Sequence, residues 1–458
     1  MSENNFSRRK FLTGAAAIGA AGAMGVGTFS SCTSGGGTAA DASGGSYDWV
    51  PRDYKFPPML DEVPGGEVLK AGVIGCGGRG SGAAKNFLEA GGSTVQVTAL
   101  GDVFQDRIDG CNAGIKEMVG EEVPKENCFV GFDAFEKVIE SGVDIVILAT
   151  PPKFRPEHFE AAVKARKHVF MEKPVAVDPV GIRRVLATAK MADAAGLKVV
   201  TGTQRRHEHS YINLYKELEK NAIGHITGAN VYWNGGKLWH RDNNPSWSEM
   251  EWMIRDWVNW CWLSGDHIVE QHVHNIDVAN WFIGKIPEKA LGFGSRQRRV
   301  TGDQYDNFSV DYVYDDGMHI HSMCRQINGC ANGVYEIFHG TKAIATTVGH
   351  KPQIVDASGN EIFMAEGSET SPYVQEHKDL ITCIRQDIPF NEAEATANSV
   401  MVAIMGRVSA YTGKEVTFEE MMNSDMKLGP DTYIMGDIGY MEKAEVPVPG
   451  TLENQRRG

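Results

Sequence analysis

The sequence of 458 residues predicts an α/β protein whose first domain is a doubly wound parallel sheet. Three observations support this fold class. A glycine-rich turn joins an apolar strand to a helix over 68–88, strand and helix patterns alternate as far as residue 206, and period-two patterns begin beyond Lys285. The length favours more than one domain.

The N-terminus predicts an export signal. "SRRKFL" (7–12) precedes a weakly apolar run rich in glycine and alanine, which is typical of twin-arginine export and makes a poor transmembrane anchor. "FSSCTSGGGT" around Cys32 resembles the lipid-attachment box of bacterial lipoproteins, with Phe29 where leucine is usual. We therefore expect a periplasmic protein with residues 1–46 as signal and linker, and the sequence leaves open whether Cys32 anchors it to a membrane.

Composition narrows the class of partner. The formal net charge of −14 argues against nucleic acid and anionic membrane surfaces, because binding phosphates needs a concentrated basic patch. Eight cysteines at irregular spacings form neither a disulfide framework nor a CxxC metal pattern. A neutral small molecule fits better.

The first strand leads into "VLKAGVIGCGGRGSGAAKNFLEAG", where three glycines have GxGxxG spacing. Gly75 permits the tight turn, Gly77 lets a pyrophosphate approach the backbone, and Gly80 allows close helix packing. The helix N-terminus adds unpaired N–H groups and a partial positive charge. We expect these residues, with Gly78 and Arg79, to bind a dinucleotide.

The second strand, "TVQVTALGDV", ends near Asp102. A carboxylate here accepts hydrogen bonds from the adenosine ribose and repels a 2′-phosphate, so the sequence favours NAD over NADP. The alternative is a turn or helix-capping aspartate.

The remaining elements of this domain follow in order. "VDIVILATPP" (143–152) is a strand, 156–167 a helix, "HVFMEKPVA" a strand and loop, 178–195 a helix, and "LKVVTGTQRR" a last strand. Such alternation predicts βαβ units.

These motifs carry a family resemblance. "GVIGCGGRG", "ILATPP" and above all "MEKPVA" resemble the Gfo/Idh/MocA oxidoreductases, and the likeness extends from about residue 69 to 417. It implies a Rossmann domain (47–203), then an α+β domain with an open-faced, mostly antiparallel sheet (204–420), with substrate between them beside the nicotinamide. A tail (421–458) is expected to pack back, and the open sheet to form a homo-oligomer.

The resemblance also implies roles for the "EKP" loop. Lys173 would hydrogen-bond the reacting hydroxyl, Glu172 and Lys173 would contact the cofactor, and Thr150 and Pro151 would line the nicotinamide side. An ammonium beside a hydroxyl stabilises the alkoxide character that develops as hydride leaves. The structural alternative is a surface-turn lysine before Pro174.

"GDHIVEQHVHNID" (265–277) is the second candidate catalytic segment. The family carries an acid, a histidine four residues on and an aspartate three later, which is the register of Glu270, His274 and Asp277. On a helix these three lie within about 60°. We expect His274 to be the general base, Glu270 to orient it or bind a hydroxyl, and Asp277 to bind substrate. A metal held by His267, Glu270 and His274 and a purely structural polar face are alternatives; we assign no metal.

Tryptophan is concentrated just upstream, because eight of the nine lie between Trp233 and Trp281. Indole faces stack on sugar rings while polar edges bind hydroxyls, so the segment suits a saccharide, with Trp239, His240 and Arg241 as expected contacts. The alternative for most of these tryptophans is the protein core.

"GTQRRHEHSY" (202–211) crosses into the second domain. Arg205, Arg206 and His207 are candidate substrate ligands. Neutralising nearby carboxylates is the other reading of Arg205, Arg206 and His207.

Together these observations predict an NAD-dependent enzyme that oxidises a hydroxyl of a sugar or glycoside, plausibly at C3, to a keto-sugar. An NAD-dependent glycoside hydrolase, which oxidises, eliminates, hydrates and re-reduces with retained cofactor, is the second reading. A non-catalytic glycan-binding lipoprotein is the third, and it would not need Lys173 and His274 together. Export removes the free NAD pool, so the cofactor must be recycled in place or re-oxidised by a partner.

Overall fold

Two sheets organise residues 54–450, which are the residues that the structure, a computed structural model, describes. The predicted twin-arginine signal, the lipid-attachment site at Cys32 and the linker over 33–46 lie outside the described residues.

The first sheet of the described chain has six parallel strands in the order β3-β2-β1-β4-β5-β6, which confirms the doubly wound fold. Its strands are β1 (Leu69–Ile74), β2 (Val95–Asp102), β3 (Cys128–Val130), β4 (Ile145–Leu148), β5 (His168–Met171) and β6 (Val199–Thr201). The helices between them are α1 (Gly78–Gly91), α2 (Gln105–Val119), α3 (Ala134–Glu140), α4 (Arg155–Lys164) and α5 (Pro179–Ala194). Every residue of β4 is buried, as a strand covered by helices on both faces requires.

The second sheet, within the same described range, has nine strands in the order β14-β13-β12-β11-β7-β10-β9-β8-β15. All its pairs are antiparallel except β7 with β10. The strands are β7 (Ile226–Gly235), β8 (Lys289–Ser295), β9 (Asn307–Val313), β10 (His319–Gln326), β11 (Gly333–Gly340), β12 (Ile344–Thr346), β13 (Gln353–Val355), β14 (Glu361–Met364) and β15 (Val416–Thr417). The helices of this half are α6 (His209–Glu219), α7 (Glu249–Arg255), α8 (Cys261–Ser264), α9 (His267–Glu270), α10 (Val273–Ile283), α11 (Pro372–Arg385), α12 (Ala393–Thr412) and α13 (Phe418–Asn423).

One face of the second sheet is covered and the other is open. Every second residue of β9 is buried, and Val310 shares a core with Ile276 of α10 and Val402 of α12. On the open face of β8, Phe293 is 73% exposed. The predicted hairpin is present, with β9 and β10 joined by a turn in which Gly317 has a φ of +78°. This is the one-sided burial that period-two patterns predict.

The chain returns to the first sheet after building the second. In α11, Val374, Leu380 and Ile381 share a buried cluster with Val73 and Phe87 of the first sheet and α1. The predicted boundary at 203/204 stays a prediction, and the one at 420/421 falls inside α13.

Candidate active site

The glycine-rich loop turns sharply between β1 and α1 and leaves open space above it. A Cβ on Gly75, whose φ is +93°, would lie 2.4 Å from the Thr150 amide nitrogen, and one on Gly80 would lie 1.8 Å from the Gly75 carbonyl oxygen. No atom lies within 4 Å of the Cβ positions on Gly77 and Gly78, which line a cavity of about 510 Å³. Backbone open to a cavity at a helix N-terminus is what a pyrophosphate needs.

Asp102 ends β2 and lines the same cavity. Its carboxylate accepts from the amides of Cys76 at 2.7 Å and Phe104 at 3.0 Å. Burial raises the pKa of Asp102 above its usual range, while these two amides act in the opposite direction. The carboxylate therefore holds the glycine-rich loop in place and also borders the space in which a ribose would bind.

Thr150 and Pro151 follow β4 and line the cavity beside the loop. Arg155, which sequence reasoning missed, is buried and donates to three carbonyl oxygens: Thr150 at 2.8 Å, Glu172 at 2.9 Å and Pro174 at 2.7 Å. Burial lowers the pKa of Arg155 to about 10. The guanidinium thus joins the loop after β4 to the loop after β5. In the sequence, Arg155 stands out only as a charged residue among the buried positions of α4.

Lys173 does not itself line this cavity, but it contacts Glu270, which does. Its ammonium donates to the Glu270 backbone carbonyl and to Glu270 Oε1 at 3.1 Å. The Lys173 side chain is only 11% exposed, and Glu270 lines the cavity. The surface-turn alternative for Lys173 is therefore wrong.

Glu172 is not positioned to contact the cofactor, contrary to the prediction. It is 3% exposed, is absent from the cavity wall, and its carboxylate pairs with Arg79 Nε. Arg79 lines the cavity and also lies 3.6 Å from Glu376 on α11. Burial, and then the Glu172 charge, raise the pKa of Glu376 well above its usual range. Glu172 therefore acts by holding Arg79, because a buried carboxylate needs a cation beside it.

The segment 265–277 is not one helix. α9 ends at Glu270, α10 begins at Val273, and Gln271 between them has φ −110° and ψ −55°. His274 stacks on Trp233 with ring centroids 5.5 Å apart. Burial, and then the Lys173 ammonium, hold the pKa of His274 well below its usual range. Both causes favour the neutral imidazole, which is 7% exposed and does not itself line the cavity.

Asp277 does not face the cleft, contrary to the prediction. It is 2% exposed, and Arg206 binds both carboxylate oxygens at 2.8 and 2.9 Å. The Ser399 hydroxyl donates to the same carboxylate at 2.8 Å. The break after Glu270 removes the shared face, and the carboxylate is already satisfied by its ion pair. Asp277 is structural and does not bind substrate.

Arg205 is likewise paired, which corrects its assignment to substrate. Its guanidinium donates to Glu336 at 2.7 Å, and both side chains are buried. His207 lies between Asp379 at 2.7 Å and Glu392 at 3.1 Å. Burial alone would lower the pKa of His207, but the two carboxylates raise it to about 10. The carboxylate-neutralising alternative describes these basic residues.

The tryptophan-rich segment divides between cavity and core. Trp239, 45% exposed, and Arg241 line the cavity, with the guanidinium 5.6 Å from the indole centroid. His240 does not; it borders a separate cavity of about 10 Å³ and lies 3.5 Å from Asp242. Three tryptophans are at most 5% exposed and belong to the core: Trp260, Trp262 and Trp281.

The cavity suits a dinucleotide. Its volume of about 510 Å³ is of the size that small-molecule sites have, roughly 300–1,000 Å³. Open backbone at Gly77, the Asp102 carboxylate and the Thr150–Pro151 loop line one continuous space. These residues fit NAD in the arrangement that the sequence predicts.

The described residues contain no candidate metal site, disulfide or membrane-spanning helix. In residues 54–450, no three His, Cys, Asp or Glu side chains are placed to hold a metal ion. The seven cysteines of that range are all free thiols. None of the helices described there is both long and apolar enough to cross a bilayer.

Two family models match the chain, one for each sheet. The oxidoreductase family model with an NAD-binding Rossmann fold (GFO_IDH_MocA) matches residues 69–200, and the model of its C-terminal alpha/beta domain matches residues 216–418. The NAD-binding Rossmann domain expected from the glycine-rich loop is thereby confirmed.

Similar proteins include dehydrogenases and a hydrolase. Myo-inositol 2-dehydrogenase of Thermotoga maritima is 26% identical over 50% of this chain and 58% of its own length. Inositol 2-dehydrogenase of Rhizobium meliloti is 22% identical over 69% of this chain and 89% of its own. A glycosyl hydrolase family 109 protein of Shewanella pealeana is 22% identical over 56% and 55%. The chain thus spans little more than half of the first and third of these relatives.

Solved structures show the same fold. Scyllo-inositol dehydrogenase from Lactobacillus casei, with bound NAD(H) and scyllo-inositol, superposes with a TM-score of 0.59 at 19% identity, covering 77% of this chain and all of that one. The aldose-aldose oxidoreductase from Caulobacter crescentus, complexed with glycerol, gives 0.57 at 18% identity, with coverage of 77% and 100%.

Proposed function

We propose, from the premise that the chain belongs to the Gfo/Idh/MocA oxidoreductase family, that it oxidises a hydroxyl of a sugar or glycoside, at C3, to a keto-sugar with NAD. The inositol 2-dehydrogenases among its relatives support a polyhydroxylated substrate.

The observation that carries this proposal is the pairing of Lys173 with Glu270 at the wall of the dinucleotide cavity. When bound, the nicotinamide supplies the carbon that accepts hydride. An ammonium at that wall donates to the substrate oxygen and stabilises the negative charge that grows on it. Because water and solvent charges are largely excluded there, the interaction is stronger than it would be at a surface.

His274 is the proton acceptor in this proposal. A base must be unprotonated at working pH, which burial and the nearby Lys173 charge favour; the same two effects also make this imidazole a weaker base than a free one. Glu270 holds the lysine in place through two acceptor atoms. Trp239 and Arg241, which line the same cavity as Glu270, provide an indole face and a donor for sugar hydroxyls.

A glycoside hydrolase is the second candidate, favoured by the family 109 relative. Oxidation acidifies the neighbouring C–H, the aglycone leaves by elimination, water adds, and return of the hydride regenerates the alcohol. Both candidates use the same first step.

We also propose export and assembly. The paired Arg8 and Arg9 support twin-arginine export, and Cys32 is the proposed lipid attachment site. Lysine at both arginines should leave the protein in the cytoplasm, and Cys32→Ala should release it from the membrane fraction. The exposed Leu291 and Phe293 on the open sheet support a homo-oligomer, which light scattering of Phe293→Asp would test.

The test of function is incubation of the purified protein with polyols, sugars and glycosides, with and without added NAD. Keto-sugar with an equal amount of NADH, either released or still bound to the protein, supports the dehydrogenase, and free aglycone without net NADH supports the hydrolase. Lys173→Ala should abolish either activity while NADH binding persists. The control is Lys285→Ala, which removes an exposed lysine paired with Asp315 and should retain activity. Turnover by Lys173→Ala at the wild-type rate would contradict the proposed role.

A further inference from the structure

Residues from outside the first sheet cover part of the dinucleotide cavity. Residues 238–258, here called the roof segment, follow β7 and place Trp239, Arg241, Ile254 and Trp257 on the cavity. The facing wall is formed by the ends of β2 and β3, including Phe104. Arg255 of the same segment contacts Phe104, whose amide donates to Asp102, so at this point the segment would enclose a dinucleotide on the side of its adenosine.

Arg255 connects the roof segment to the loop and helix that follow β2. Its guanidinium lies 3.9 Å from the Phe104 ring centroid and 5.2 Å from that of Trp247. It also binds both oxygens of Asp106 at 3.0 and 3.2 Å, and Glu251 at 2.8 Å. Arg255 and Phe104 line the cavity, whereas Asp106 does not. One side chain thus joins the roof segment to the residues after β2 by cation–π stacking and a two-point ion pair.

The C-terminal tail contacts the roof segment and the cavity. Glu249, at the start of α7, accepts the backbone amides of Ile438 and Gly439 at 2.6 Å and Met441 at 2.5 Å. Tyr433 lines the cavity and packs edge-on against Phe154 at 5.0 Å. These contacts hold α7, and with it Arg255, in one position.

We propose that Arg255, with Phe104 and Asp106, is a latch that retains NAD, so that the dinucleotide stays bound through successive reaction cycles and leaves only when the roof segment opens. The inference rests on the proposed function, in that it takes NAD as the occupant. Retention requires that reducing equivalents leave through a second substrate or by return to the sugar product.

The test measures NADH release and not turnover. Protein loaded with NADH is passed through gel filtration, and the loss of bound-NADH fluorescence is then followed after mixing with excess NAD. The variants are Arg255→Met and Asp106→Asn, the latter lying outside the cavity and so altering only the latch. Arg184→Met is the matched control, because Arg184 of α5 forms a partly exposed ion pair with Glu160 of α4. Urea unfolding of each variant separates opening of the latch from general instability.

We expect the wild type to keep NADH through gel filtration. Release should be about tenfold faster in Arg255→Met and about threefold faster in Asp106→Asn, with Arg184→Met unchanged, as the usual strengths of a cation–π contact and a half-exposed ion pair indicate. Higher salt should speed release from the wild type but not from Asp106→Asn. The latch is refuted if NADH binds but both variants release it at the wild-type rate, or if the wild type loses it on the column. Absence of saturable NADH binding would instead refute the proposed function.

Discussion

Replacing Gly77 by alanine should separate cofactor binding from folding. Gly77 has φ −67° and ψ −171°, an extended conformation that alanine adopts without strain, and no atom lies within 4 Å of the added Cβ. The new methyl group projects into the cavity where a pyrophosphate would approach the backbone. Gly80 offers the opposite case, because its Cβ would lie 1.8 Å from the Gly75 carbonyl oxygen.

The two substitutions should therefore change the free energy of unfolding in opposite directions. Gly77→Ala should stabilise the fold by about 0.4–1 kcal/mol through the unfolded chain, yet weaken NADH binding by about 1.5–3 kcal/mol, the strength of one hydrogen bond to a charged group. That loss corresponds to roughly 10- to 150-fold in Kd. Gly80→Ala should lose about 1–3 kcal/mol of stability by overpacking, despite the better helix propensity of alanine.

Urea unfolding and NADH fluorescence titration measure both quantities. Gly110→Ala is the matched control, since this glycine lies exposed on α2 with open space around its Cβ. It should gain up to about 1 kcal/mol of stability and bind NADH as the wild type does. Wild-type NADH affinity in Gly77→Ala would refute the placement of the dinucleotide over this loop.

Three further predictions concern buried charge. Arg206→Met should cost about 3–5 kcal/mol in urea unfolding, because the Asp277 carboxylate is left buried without its partner, and adding Asp277→Leu should restore most of the loss. The pKa of His207 is raised to about 10 from an ordinary value near 6.5, so the stability that its charge contributes is fully present below pH 6.5 and is lost as pH rises towards 10. His207→Gln should therefore flatten the dependence of unfolding free energy on pH between 6.5 and 10. Parallel profiles for the variant and the wild type would contradict this. Since burial and then Lys173 depress the pKa of His274, Lys173→Ala should raise it in an NMR titration, and an unmoved resonance would show that the two groups are not coupled.

Local patterns predicted the first sheet and its cofactor site. The glycine spacing from Gly75 to Gly80, the acid at Asp102 and the buried strand Ile145–Leu148 depend on contacts within a few residues or on one βαβ unit. The hairpin of the second sheet was likewise readable from its alternation and its turn glycine. Short-range physics constrains these features, so a single sequence displays them.

Partners of buried charges were not predictable in this way. Asp277 was expected in the cleft because an unbroken helix would align it with Glu270, but the chain breaks at Gln271 and Arg206 captures the carboxylate. Arg205 similarly meets Glu336, far away in sequence. Such pairs form because two charges buried by tertiary packing must neutralise each other, which residue spacing does not reveal.

The amino-acid sequence alone determined that this chain builds a dinucleotide-binding sheet, and it pointed to a lysine, a glutamate and a histidine as the proposed catalytic residues. Only the tertiary structure decided that Lys173 is held by Glu270, that Asp277 and Arg205 form buried ion pairs, and that Arg255 contacts Phe104 and Asp106. The physical reason is the same in each case: these contacts join residues distant in sequence, and their energies exist only once burial has removed the competing water.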